Sequence, residues 1–279
     1  MLMNNFTGRL RNVSSLWFIS LFTVFPLNAF TDVPNWQGFY LGAYLGGGVG
    51  NAHFSTNTGS ITDSSYFTTA EDINATNNAG SSQNTPVSIT AGIQAGHNWI
   101  WKQMVYGVVA DVGVLPLITS TQVNSVYPDT SDNHSIYTSL TTHWLFSLRG
   151  RLGYQTVLHS SPSLLYLTGG IAVTQLKVTN HFSDNSPLAG SGGGSLSENQ
   201  IGWTAGAGIE LASFAQATLN LEYLYIYIPS VTTTSSISNS VAGFGIPAQS
   251  LSSPFTTTGS LHTNLIRLGL NYRFGGSFR

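Results

Sequence analysis

The chain has 279 residues, of which only 7% are charged, a formal net charge of −2, and no cysteine. An ordinary soluble domain carries about 25% charged residues, so the surface is not composed for water. At 42% hydrophobic the chain is not a bundle of membrane helices either. The missing cysteines exclude a disulfide framework and thiol chemistry, and the lack of a basic patch excludes nucleic acid as a partner.

At the N-terminus, Arg9 and Arg11 precede an apolar run from 16 to 27, and the small Ala29 follows. That order is the pattern of a secretory signal. The run is shorter than the roughly 20 apolar residues of a spanning helix. Residues 1–29 are therefore expected to be a cleaved signal peptide and residues 30–279 a single domain. Cleavage removes two of nine basic residues and none of the eleven acids. Every later apolar run is interrupted by Gly, Thr, Asn or a charge. A membrane-embedded chain of this kind has to close into a barrel, because only closure satisfies all backbone N–H and C=O groups in lipid.

Eight segments alternate with a period of two, the signal of a strand. In 38–50, Phe39, Leu41, Ala43, Leu45 and Val49 share a face. Segments 87–100 and 105–114 follow, joined by a few residues around Trp101 and Lys102. In 142–154, Trp144, Phe146, Leu148, Leu152 and Tyr154 oppose His143, Ser147, Arg149 and Arg151. Segment 164–178 comes next, then 202–211 and 217–228 on either side of a short turn. In the last segment, 265–274, Leu268, Leu270, Tyr272 and Phe274 oppose Arg267, Gly269, Asn271 and Arg273.

The spacers 51–86, 115–140, 179–199 and 229–260 are long, polar and without an apolar period, so they are expected to lack secondary structure. Short turns on one rim and long loops on the other are the pattern of a membrane barrel, whose even strand count puts both termini on the short-turn, periplasmic rim. Trp36, Phe39, Tyr40, Trp99, Trp101, Trp144, Tyr154, Tyr166, Trp203, Tyr272 and Phe274 lie toward strand ends, as interfacial girdles do.

The same parity predicts a lumen holding Gln94, Asp111, Arg149, Arg151, Glu210, Asn220, Glu222, Arg267, Asn271 and Arg273. Eight strands enclose a space that side chains fill, and buried charges need partners. Similar heights suggest the pairs Asp111–Arg151, Glu222–Arg267 and Glu210–Arg273, forming a salt-bridged plug. No metal spacing or catalytic triad is visible among the seven histidines. His143 and Ser147 share the predicted lumen face, but four residues of strand separate them by roughly 13 Å.

The stretches NWQGFYLGAYLGGG, RGRLGYQTVLHSSPSLLYLTGGIA, GWTAGAGIEL, LNLEYLYIYI and NLIRLGLNYRF together resemble the small outer-membrane barrels of the opacity-protein and OmpA-like superfamily. More narrowly they resemble outer-membrane immunogenic and hemin-binding surface proteins. The resemblance implies an all-β, eight-stranded, antiparallel up-and-down transmembrane barrel with four long extracellular loops. It would sit among the membrane lipids of a Gram-negative outer membrane, placed there by the outer-membrane assembly machinery. Arg267, Gly269, Tyr272 and Phe274 match the closing signal that this machinery reads, although residues 275–279 follow it. The implied role is a structural or surface-antigen one, with no catalysis and no cofactor. Two alternatives stand beside it: hemin binding, with His53, His134 and His181 as the candidate ligands, and adhesion to host surface components through the loops.

Overall fold

The computed structural model describes residues 36–214 and 216–274. The expected signal peptide and the tail after Phe274 lie outside the described residues. Nine strands and one helix follow in the order β1 (Gly38–Asn57), α1 (Ala70–Ala79), β2 (Ser82–Asn84), β3 (Val87–Trp101), β4 (Met104–Val126), β5 (Asn133–Leu158), β6 (Ser161–Asp184), β7 (Gly190–Phe214), β8 (Ala217–Asn239) and β9 (Ser252–Phe274). All pairings are antiparallel, each strand from β3 onward pairs with the next, and β1 pairs with both β3 and β9. The sheet therefore closes on itself. No helix among the described residues is long and apolar enough to cross a membrane.

The long spacers depart from the sequence expectation. Most of their length is strand: β4 runs to Val126, β5 starts at Asn133, β7 at Gly190, and β8 runs to Asn239. Their sequences are rich in Ser and Thr, which are half-buried and β-branched or small, so they pair well without an apolar period. The ninth strand, β2, is the one beyond the expected eight. It takes over from β3 as the partner of β1 at Ala52–Phe54. Helix α1 also lies in a segment expected to be unstructured. Its mean hydropathy is near zero and no apolar stripe betrays it, but its N-cap does: the Thr69 hydroxyl accepts from the Asp72 N–H, with Glu71 and Asp72 in the first turn where the helix dipole favours acids.

Burial alternates along each wall. Toward the short turns the exposed face is apolar: Phe39, Leu41 and Leu45 on β1, Leu148 and Leu152 on β5, and Ile266, Leu268, Leu270, Tyr272 and Phe274 on β9. Water is a poor solvent for such a band; hydrocarbon is a good one. Farther from the short turns the exposed faces become Asn, Ser and Thr, as at Asn264, Thr232 and Thr234. The interior makes the opposite change. Its charged residues lie toward the short turns, and farther along the strands the core is Phe54, Leu115, Leu117, Leu140, Leu224, Ile226, Leu261, Leu265 and their neighbours.

Register shifts fall at this change, between Val114 and Leu117, Thr141 and Phe146, and Ile228 and Val231. A bulge turns the side-chain alternation over. On β5 it turns His143 outward while Ser147 stays buried, which corrects the expectation that both face the lumen.

Candidate functional site

Two regions of the interior gather chemistry: a charged layer across the lumen and a cap at the mouth away from the short turns. The lumen floor is closed by Trp36, Val105, Leu164 and Tyr166. Trp36, Tyr40 and Tyr166 are thus interior residues, 5% exposed or less, and not girdle aromatics. Above the floor, Asp111, Arg149, Arg151, Glu210, Glu222, Arg267 and Arg273 are all buried.

The ion pairs differ from those expected. Arg149 bridges Asp111 (Nη2 to Oδ2, 2.9 Å) and Glu222 (Nη1 to Oε1, 2.9 Å). Arg267 Nη1 reaches Asp111 Oδ1 at 3.1 Å, and Arg151 pairs with Glu210. The expected pairs Asp111–Arg151, Glu222–Arg267 and Glu210–Arg273 are not the ion pairs formed. Arg149 and Asp111 do lie on neighbouring strands, but reasoning from neighbours alone missed the pairs in which long arginines cross the lumen: Arg149 on β5 meets Glu222 on β8, and Arg267 on β9 meets Asp111 on β4. Among the contacts of Arg273, its guanidinium lies 4.8 Å from the ring of Trp36.

Neutral donors complete the layer. Ser147 and Tyr44 donate to Asp111, Tyr166 donates to Glu222 at 3.2 Å, and Thr218 and Asn271 donate to Glu210. Gln94 Nε2 donates to Asn271 at 2.6 Å. The arginines also stack on tyrosine faces, Arg151 on Tyr166 at 3.7 Å and Arg267 on Tyr44 at 4.3 Å, a contact that stabilises a guanidinium withdrawn from water. Tyr44 can lie flat on the wall because Gly92 and Gly113 sit beneath its hydroxyl, where an added Cβ would come within 3.0 Å of it. A cavity lined by Tyr40, Arg149, Arg151, Tyr166 and Glu222 has a volume of about 10 Å³, room for one water.

The mouth is covered by the segment between β1 and β2. Phe67 packs on Tyr127 and Phe182, ring centroids 6.1 and 6.0 Å away, within a cluster that includes Ile136, Ile237 and Phe255. Helix α1 is tied to the rim, with the Thr56 hydroxyl donating to the Gly80 carbonyl at 2.8 Å and the Thr58 N–H to Asn77 Oδ1 at 2.9 Å. Asp184 Oδ2 accepts from Tyr66 (2.6 Å) and Tyr127 (2.9 Å), and its Oδ1 from the Gly190 N–H (2.7 Å). Burial, together with that carboxylate, raises both phenols above their ordinary value.

The three histidines proposed as hemin ligands do not converge. His134 is 2% exposed, stacked on Tyr127 at 4.4 Å and on Phe182 at 6.1 Å. His53 and His181 are exposed, on β1 and β6, which lie on opposite sides of the ring. Neither ring nitrogen of His134 has a hydrogen-bond partner among the described residues. Burial lowers its pKa, with Asp184 and Asp72 opposing. Among the described residues no three acids or histidines are grouped to hold a metal. Arg267, Gly269, Tyr272 and Phe274, the expected insertion signal, end β9, the first two facing the lumen and the aromatics outward.

A family model for the outer membrane protein beta-barrel domain matches residues 18–274. The chain is 29% identical over 240 residues to a 25 kDa outer-membrane immunogenic protein of Brucella abortus, covering 86% of this chain and 80% of that protein. It is 33% identical over 131 residues to a 22 kDa outer membrane protein of Rhizobium leguminosarum, covering 47% of this chain and 48% of that one. Among solved structures, Neisserial surface protein A is 14% identical, covering 85% of this chain and 98% of that one, with a TM-score of 0.32.

Proposed function

Because the chain belongs to the outer membrane protein β-barrel domain family, we propose that it is a non-catalytic wall and surface-antigen protein whose lumen is closed to diffusion. In this reading β2 only extends the wall beside β1, so eight strands span the membrane, and four long hairpins stand outside the cell on the rim away from the short turns. Residues 1–29 direct export and are cleaved, and the β9 end serves the assembly machinery as its insertion signal.

The observation that carries the reading is the filled lumen. The Trp36 floor, the charged layer, the apolar core and the mouth cluster follow one another along the axis. An eight-stranded barrel filled by its own side chains has no continuous water column. The separation of His143 and Ser147 onto opposite faces leaves no hydroxyl activated by a histidine there, and the immunogenic relatives fit a surface role. Planar-bilayer recordings of the refolded monomer test it. The expected result is no stable conductance; large steady openings from single barrels would show the plug to be wrong.

A further inference from the structure

The tip of the β8–β9 hairpin is unlike the rest of the exterior. Residues 241–248, Val-Ala-Gly-Phe-Gly-Ile-Pro-Ala, carry no polar side chain. Gly243 and Ile246 exchange hydrogen bonds, N–H to O at 3.0 and 2.8 Å. Between them Phe244 and Gly245 have φ of +53° and +80°, the two left-handed residues of a type I′ turn. Asn or Asp would accept the first position without strain; a phenylalanine there is an outlier. Its ring is 84% exposed, and Val241 is exposed beside it.

Part of the tip's backbone is satisfied by the protein itself. The buried Asn239 donates through Nδ2 to the Val241 and Pro247 carbonyls, at 3.2 and 2.8 Å. The Ser250 hydroxyl also donates to Pro247, and the Val241 N–H reaches the Leu188 carbonyl at 3.2 Å. With these groups paired and only apolar side chains on show, the tip suits the interfacial zone of a bilayer, where headgroups and water can still meet the turn's remaining N–H and C=O groups. It has no side-chain donor or acceptor with which to read a protein surface. The tip also cannot reach its own bilayer. The stretch of β8 from Ser230 to Asn239 lies beyond the outward tyrosines; at about 3.4 Å per residue and about 40° of tilt it lifts the tip roughly 25 Å.

We propose that Phe244 and its apolar neighbours form a finger that inserts into the interface of an apposed lipid bilayer with zwitterionic headgroups. This rests on the outward orientation of the hairpins given above. Zwitterionic lipid is favoured because Asp63, Glu71 and Asp129 are exposed in the other segments on this rim, while residues 223–266 contain no Lys or Arg to attract an anionic surface.

The full chain, refolded into nanodiscs, is mixed with protein-free vesicles of phosphatidylcholine or of phosphatidylglycerol and floated on a density gradient. Wild type is expected to co-float with phosphatidylcholine vesicles, and several-fold less with phosphatidylglycerol. Phe244→Asn suits the left-handed turn, so folding, read by heat-modifiable gel migration, should persist while co-flotation drops at least fivefold. Equal flotation of Phe244→Asn and wild type, or none by wild type, overturns the proposal. So does capture by protease-sensitive cell surfaces when protein-free vesicles are ignored, since the occupant is then a protein. Orientation is read separately: an Ala248→Cys variant on whole cells, in a chain otherwise free of cysteine, should take an impermeant maleimide. Absence of labelling would overturn the outward reading, and with it contact with an apposed cell, even if vesicle binding in nanodiscs held.

Discussion

Arg149 is the residue on which the lumen turns. It is 1% exposed and holds Asp111 and Glu222 at 2.9 Å each. Removing a buried partner leaves an uncompensated charge, which costs about 3–5 kcal/mol. Arg149→Ala leaves Asp111 with Arg267 as its one cationic partner beside Ser147 and Tyr44, and leaves Glu222 with neutral donors. The expected loss of folding stability is therefore at the upper end of that range, read as a shift of the urea midpoint in lipid vesicles. A loss under about 1 kcal/mol would mean that the layer is wet and the charges screened. At this scale the sequence was partly legible. Parity alone identified which charges face inward, because a lipid-facing arginine is so costly. It did not identify their partners. Side-chain reach across a narrow lumen is not encoded in strand neighbourhood, and the bulge that turns His143 outward is marked only by Pro116 on the facing strand, a residue that cannot donate to the ladder.

The cap over the mouth is an element with its own pH window. Burial lowers the His134 pKa, so the closed cap disfavours the protonated ring. Its ordinary value is about 6.5. Above that the group carries no penalty; as pH falls below it, the open state binds the proton more readily and closure weakens. Tyr66 and Tyr127 are shifted upward, so closure also weakens once pH rises past about 10, where an exposed phenol ionises. Protease sensitivity of the segment around α1 should be lowest between these limits. His134→Phe should keep the stack on Tyr127 and Phe182 and abolish the acid limb alone. If wild type and variant open alike at pH 5, another group governs the cap. The helix itself was readable only at its start, where Thr69 precedes Glu71 and Asp72; the rest, Ile-Asn-Ala-Thr-Asn-Asn-Ala, presents no apolar stripe.

For the whole molecule, the closed antiparallel sheet was legible because the membrane imposes a strict alternation on 38–50 and 265–274. The upper sheet was not, since Ser and Thr serve an inner or an outer face equally well. The two zones make opposite demands on the same wall. Leu268→Arg, on the outward face of the apolar band, should cost about 2–4 kcal/mol. Thr258→Arg, outward on the same strand but beyond the band, should change stability by no more than about 0.5 kcal/mol. Urea titrations in vesicles of both variants would sink the two-zone description if the costs came out equal.

The exchange of polarity between inside and outside along one axis also fixes how deep the molecule rides. Pushing the barrel inward drags hydroxyl-bearing wall into oil; lifting it bares Ile266 and Leu268 to water. With the long strands around the ring crossing the same seam, sinking, rising and leaning are all resisted together. The chain carries a waterline written around its circumference, and the wall by itself is enough to hold it level.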